Sequence, residues 1–170
     1  MAQEATAAEK KNDVGNRLEG KYLTFKLAEE EYGLEILKVQ EIIRMQTVTR
    51  VPRTPEYVRG VINLRGKVIP VIDLRSKFSM PLQEDTDKTC IIVVQVNRGD
   101  HHLVMGVIID EVREVLDISA DSIEDTPSFG ASINTEFILG IGKVGDTVKM
   151  LLDIDKVLTA SEVEQISKIN

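Results

Sequence analysis

The sequence predicts a mainly β fold built as two small barrels, and three observations lead there. Its apolar residues fall in short β-branched runs punctuated by Gly, Pro and acidic turns rather than at sustained helical spacing. The second half of the chain restates the first. Each copy, at about 70 residues with about five short strands, is too small for an open sheet, which would leave its edges and one apolar face uncovered.

The repeat shows in two blocks, each aligned without gaps. Residues 32–43, YGLEILKVQEII, align with residues 105–116, MGVIIDEVREVL, matching Gly33 with Gly106, Ile36 with Ile109, Val39 with Val112 and Glu41 with Glu114. Residues 57–78 align with 137–158, matching Gly60 with Gly140, Val68 with Val148, Val71 with Leu151, Asp73 with Asp153 and Leu74 with Ile154. The organisation expected from this is a disordered tail over 1–19, a first barrel over 20–84, a second over 85–158 and a terminal helix over 159–170.

In chain order, residues 1–19 are small, polar and charged, with little to bury. Strands are predicted at 22–27 and 32–36, joined across the acidic turn Glu29-Glu30-Glu31. The segment 37–44, LKVQEIIR, fits a short amphipathic helix no better than a twisted strand, and its period is ambiguous. Thr54 before Pro55, with Glu56 following, predicts one helical turn over 55–59. The apolar runs 61–64 and 68–74, broken by Arg65-Gly66-Lys67, predict a tight hairpin buried on both faces, with Gly66 at positive φ. A polar loop over 80–88 divides the chain. Strands at 90–96 and 101–109 flank the turn 97–100. Ser161 and Glu164 have capping-box spacing, with Val163, Ile166 and Ile169 on one helical face.

The net charge of −7 argues against a general binder of nucleic acid or anionic membrane. Charge is unevenly spread, however: residues 44–77 carry eight basic side chains against two acids, a surplus of six, while the remainder stands at −13. A basic face on an acidic body suits an acidic protein partner. One cysteine, Cys90, sits in an apolar strand and reads as a small hydrophobe, which fits a reducing compartment. No run approaches the ~18 apolar residues of a membrane span, so a soluble cytoplasmic protein is expected.

Catalytic and ligand motifs weigh against an enzyme. Gly140-Ile141-Gly142-Lys143-Val144-Gly145 has the GxGxxG spacing, but a β run follows it where a dinucleotide site needs a helix. His101 and His102 are adjacent, so on a strand they point to opposite faces and do not converge on a metal. There is no GxSxG, and no Ser or Cys has a partnering His. No cofactor and no metal site are expected. Two residues stand out instead. Arg65 sits at the tip of a rigid apolar hairpin whose counterpart carries Gly145-Asp146, so the fold does not demand the arginine. Glu41 lies amid Val39, Ile42 and Ile43; if the segments are neighbours, Glu41 and Arg65 pair and fix the turn beside an apolar strip.

Taken together, Tyr32-Gly33 with Val39-Gln40-Glu41-Ile42, then Gly60-Val61-Ile62-Asn63-Leu64-Arg65-Gly66, then Val68-Ile69-Pro70-Val71-Ile72-Asp73-Leu74, resemble the signature blocks of the CheW family of bacterial chemotaxis coupling proteins. The likeness runs from about Tyr22 to Leu158. It implies two linked five-stranded SH3-like β-barrels with a few short helices and a C-terminal helix. It also implies a non-enzymatic adaptor, monomeric when free, that couples the cytoplasmic tips of transmembrane chemoreceptors to the regulatory domain of the histidine kinase CheA, beneath the membrane in signalling arrays. By motif position the receptor groove would use Val39, Glu41, Ile42 and Arg65, with Val112 and Val115 in the second half. Val48 and Gly60 would meet the kinase. The alternatives are a nucleic-acid-binding pair of small barrels using the basic 44–77 window, which offers only Tyr57 and Phe78 for stacking, and an enzyme with a site between the barrels.

Overall fold

The structure is a computed structural model, and it describes residues 14–127 and 135–168. A short helix α1 (14–18) precedes eleven strands and two further helices. The strands are β1 (Gly20–Leu27), β2 (Glu30–Glu35), β3 (Val39–Arg44), β4 (Val58–Leu64), β5 (Lys67–Asp73), β6 (Cys90–Arg98), β7 (His101–Ile109), β8 (Glu111–Ile118), β9 (Ile123–Glu124), β10 (Ile138–Val144) and β11 (Thr147–Leu152). Helix α2 (Leu74–Lys77) follows β5 directly, and α3 (Ala160–Ser167) ends the fold. One curled sheet has the order β8-β1-β2-β11-β10-β9; the other runs β3-β6-β7-β5-β4. The chain thus forms two small barrels, as its runs and repeat predict, of the SH3-like kind that the family resemblance implies.

The repeat is present in three dimensions with a twist of connectivity. Its two copies are β1–β5 and β6, β7, β8, β10, β11, and substituting one copy for the other turns the first sheet order into the second. Both sheets hold one parallel pair at the same place, β2 with β11 and β7 with β5. Yet each barrel takes two strands from one copy and three from the other. The division at 84/85 is therefore corrected: barrel A contains 20–35 with 111–152, and barrel B contains 39–109. The exchange follows from the crossovers, because the chain leaves barrel A after β2 through a 3-10 turn at Ile36–Lys38, and returns through Asp110.

Burial explains the arrangement. Ile91 and Val93 of β6 face the interior of barrel B, while Ile92, Val94 and Val96 on its other face enter a large cluster between the barrels. That shared cluster also receives Leu23, Phe25 and Leu34 from barrel A and Val163 and Ile166 from α3. A smaller set, Leu18, Tyr22, Ile118, Ile123 and Leu151, fills barrel A.

Four local expectations need correction. Residues 14–18, assigned to the tail, form α1 because Leu18 is buried and accepts a 2.6 Å hydrogen bond at its carbonyl from the Tyr22 hydroxyl; residues 1–13 lie outside the described residues. The 55–59 helix is a turn, closed by Val58 N–H to the Pro55 carbonyl, since the Thr54 hydroxyl donates back to Val51 rather than capping forward. Segment 37–44 resolves into a 3-10 turn and strand β3. The terminal capping box is Thr159 with Glu162, two residues before the expected pair, and α3 runs only over Ala160–Ser167; Ile169 lies outside the described residues.

Candidate interaction surface

Strands β3 and β8 are the outer strands of their sheets and occupy equivalent places in the repeat. Each carries a register shift at the same position: β3 slips against β6 between Val39 and Glu41, and β8 slips against β1 where Leu23 pairs with Val115 and Phe25 with Val112. Bulges of this kind re-aim side chains at a sheet edge. In β8 the irregularity is held by buried Thr24, whose hydroxyl donates to the Glu114 carbonyl at 2.7 Å and accepts from its N–H. Val39 and Val112 consequently turn inward onto the cluster between the barrels. Ile42 and Val115 turn outward, 45% and 50% exposed.

Glu41 and Arg65 do meet. The guanidinium donates from Nη1 and Nη2 to the two carboxylate oxygens at 2.6 and 2.8 Å, a bidentate pair that raises the guanidinium pKa through its hydrogen bonds and charge. Arg65 keeps 75% of its side chain in solvent, so its outer edge stays open to another acceptor. The turn beneath it holds Arg65 at φ 52° and Gly66 at φ 86°, closed by Gly66 N–H donating to the Asn63 side chain. Gly145, the residue aligned with Arg65, takes φ 60°. Barrel A therefore presents Glu114 without a tip arginine.

The two residues assigned to the kinase lie together in barrel B. Val48 packs on its interior, and the neighbouring Thr49 bridges Val61 across β4. Gly60 is buried at φ 149°, and a Cβ there would stand 2.1 Å from the Thr49 carbonyl oxygen. Its role is to admit that close approach, not to present a contact of its own. Beside it opens a groove of about 840 Å³ whose lining is mixed, apolar at Val51, Pro52, Val61 and Val68 and charged at Arg53 and Lys168.

Sequence reasoning missed Val68 and Val148 as surface residues. They are 51% and 53% exposed, at matched places on β5 and β11. The signal was in the repeat alignment, which pairs an apolar residue with an apolar residue at positions the hairpin leaves in solvent. Of the six large apolar side chains left exposed among the described residues, four form two repeat-matched pairs, Ile42 with Val115 and Val68 with Val148. Both copies of the repeat thus leave an apolar side chain in solvent at these two positions.

The GxGxxG stretch lies in the β10–β11 hairpin, with a strand and no helix after it. His102 Nδ1 sits 2.6 Å from the Asn97 side-chain oxygen across the β6–β7 pair, exposed to solvent. Half of the basic window is engaged internally: Arg59 with Asp73 and Asp85, Arg65 with Glu41, Arg75 with Asp110 and Lys77 with Glu162.

A family model for the CheW-like domain matches residues 21–162. The chain belongs to the CheW-like family. Among its CheW relatives, the chemotaxis protein CheW of Klebsiella aerogenes is 38% identical over 155 residues, 91% of each chain. That of Helicobacter pylori is 35% identical over 156 residues, covering 92% of this chain and 90% of its own. The crystal structure of the scaffolding protein TtCheW from Thermoanaerobacter tengcongensis superposes with a TM-score of 0.74 at 36% identity, over 85% of this chain and 96% of that one. CheW membership agrees with the paired barrels and removes support from the nucleic-acid alternative.

Proposed function

We propose that this CheW-like chain is a non-catalytic adaptor that joins chemoreceptor tips to the histidine kinase CheA on the cytoplasmic side of the membrane. The observation that carries the reading is the repeat-matched exposure of Ile42 and Val115 on edge strands, beside an arginine already oriented by Glu41. Receptor tips are helical hairpins. Ile42 and Val115, backed from within by Val39 and Val112, offer their apolar face a seat, and the open edge of Arg65 offers an acidic residue a charge-assisted hydrogen bond. Glu41 holds the guanidinium in place before the partner arrives, so less side-chain freedom is lost on docking.

The kinase contact belongs to the other matched pair. The groove at Val61 and Val68, shaped by the Val48–Thr49 segment over Gly60, suits a barrel-end partner. Two separate faces are what an adaptor requires. Individually weak contacts then gain strength by avidity in an array.

Calorimetric titration against a receptor tip and, separately, the CheA regulatory domain tests this. Ile42→Asp is expected to weaken receptor binding by roughly tenfold or more while leaving kinase binding intact, and Val68→Asp to do the reverse. Circular dichroism checks folding. A folded wild type that binds neither partner overturns the reading.

A further inference from the structure

The two crossovers that exchange strands between the barrels are each pinned by one ion pair, and the polarity of the pairs is opposite. After β2, the first crossover presents Lys38, whose Nζ donates to Asp155 Oδ2 at 2.8 Å just beyond β11. After β7, the second presents Asp110, which accepts from Arg75 Nε at 2.7 Å and from Nη2, just beyond β5. The places in the repeat are equivalent to within one residue: Asp110 aligns with Leu37, the neighbour of Lys38, and Arg75 aligns with Asp155. The cation is on the crossover in one case and after the last strand in the other.

Each carboxylate also reaches the opposite barrel. Asp155 Oδ1 accepts the Asn97 N–H near the end of β6, and Asp110 Oδ2 accepts the Ala28 N–H from the β1–β2 turn, both at 2.8 Å. All four side chains are largely withdrawn from solvent, Arg75 most of all, so their charges are felt more than those of a surface pair.

An alternative arrangement is open to any tandem repeat: each copy closes its own barrel. In that arrangement the residue after β2 meets the residue after β5, bringing Lys38 to Arg75. The residue after β7 meets the residue after β11, bringing Asp110 to Asp155. Both contacts would join like charges, the first only partly offset by Asp73 beside Arg75. In the exchanged arrangement both join opposite charges. We propose that this inverted pair of staples selects the exchanged topology over two self-contained barrels. The selection is by charge because the apolar strands, being copies of one another, discriminate poorly between the two pairings.

The test uses the whole chain in a Cys90→Ala background with Lys21→Cys and Asp117→Cys, two exposed residues paired across β1 and β8. A disulfide within one chain requires β1 of the first copy beside β8 of the second. Arg75→Asp with Asp155→Lys sets like charges at both staples; adding Lys38→Asp and Asp110→Lys restores opposite charges in reversed sense. The intrachain bond, read as monomer mass on a non-reducing gel, is expected to fall at least ~tenfold in the double reversal and to return toward the parent yield in the quadruple. Undiminished closure in the double reversal overturns the proposal, as does a quadruple that recovers nothing. A disulfide-linked dimer in the double reversal also counts against it, because exchange between chains keeps the same charge contacts.

Discussion

Arg65 occupies a left-handed backbone position that its repeat counterpart fills with Gly145. An arginine at such a position gains nothing for the turn, since glycine adopts it without a steric penalty. Its side chain must therefore be the reason it is there. Arg65→Gly is expected to leave the thermal unfolding midpoint unchanged or slightly raised while weakening capture by a receptor tip; an equal loss of both would make Arg65 a structural residue. Acid stability is set by other groups. Burial pushes the Asp110 carboxyl up, but hydrogen bonds from Arg75 and Ala28 outweigh it and hold the pKa below its usual value. Hydrogen bonds from Lys149 and Arg113 depress Glu31, and Lys77 with the Thr159 N–H overcomes the burial of Glu162. A carboxylate depressed in the folded state contributes stability above its unfolded pKa, about 3.9 for Asp and 4.3 for Glu, and that contribution vanishes as pH falls through the folded value. Burial raises Asp153 and Glu35, which act in the opposite sense and blunt the loss. Urea unfolding should therefore be nearly level from pH 7 to about 5 and fall steeply below about 4. Asp110→Asn should cost about 1–3 kcal/mol at pH 7 and flatten that fall; an unchanged slope would remove Asp110 from the account.

Strand β6 was legible because its apolar run is continuous, which signals burial on both faces; the β4–β5 hairpin was legible from its two apolar runs and turn, although β4 buries chiefly one face and Val68 stays in solvent. Segment 37–44 was not, for a physical reason. Ile42 faces solvent, and Glu41, half-buried, is turned toward the hairpin tip. The side chains that serve the surface thus break the alternation that would have revealed the strand. The pairing of Glu41 with Arg65 was nonetheless visible, as an acid among β-branched residues opposite a cation the fold did not need. Helix α2 escaped notice because four residues carry no periodicity; it exists through Asp73, whose side chain accepts from the Arg75 and Ser76 N–H groups. At the C-terminus, α3 seals the cluster between the barrels with Val163 and Ile166, both wholly buried. Ile166→Ala is expected to lower unfolding free energy by about 2–4 kcal/mol in urea titration. A loss under about 0.5 kcal/mol would mean that the helix is peripheral to the fold.

At the scale of the molecule, the repeat disclosed two barrels but not which strands compose each. Sequence identity between copies is blind to exchange, because β3 and β8 match each other and fit either barrel. The charges at Lys38, Arg75, Asp110 and Asp155 held the missing information, read across the repeat and not within one copy. Exchange has a structural consequence: the edge strand of each barrel comes from the copy that supplies three of that barrel's strands, and Val39 and Val112 both back onto one shared cluster. The proposed receptor and kinase surfaces thereby lie on a single packed body, with Ile42 and Val115 on one matched set of positions and Val68 and Val148 on another. An adaptor built this way should hold both partners together. Sedimentation velocity of the protein mixed with a receptor tip and the CheA regulatory domain measures that most directly. The account predicts a three-component species, absent without the adaptor and lost with either Ile42→Asp or Val68→Asp. Only two-component complexes, with receptor tip and kinase domain displacing one another, would contradict it.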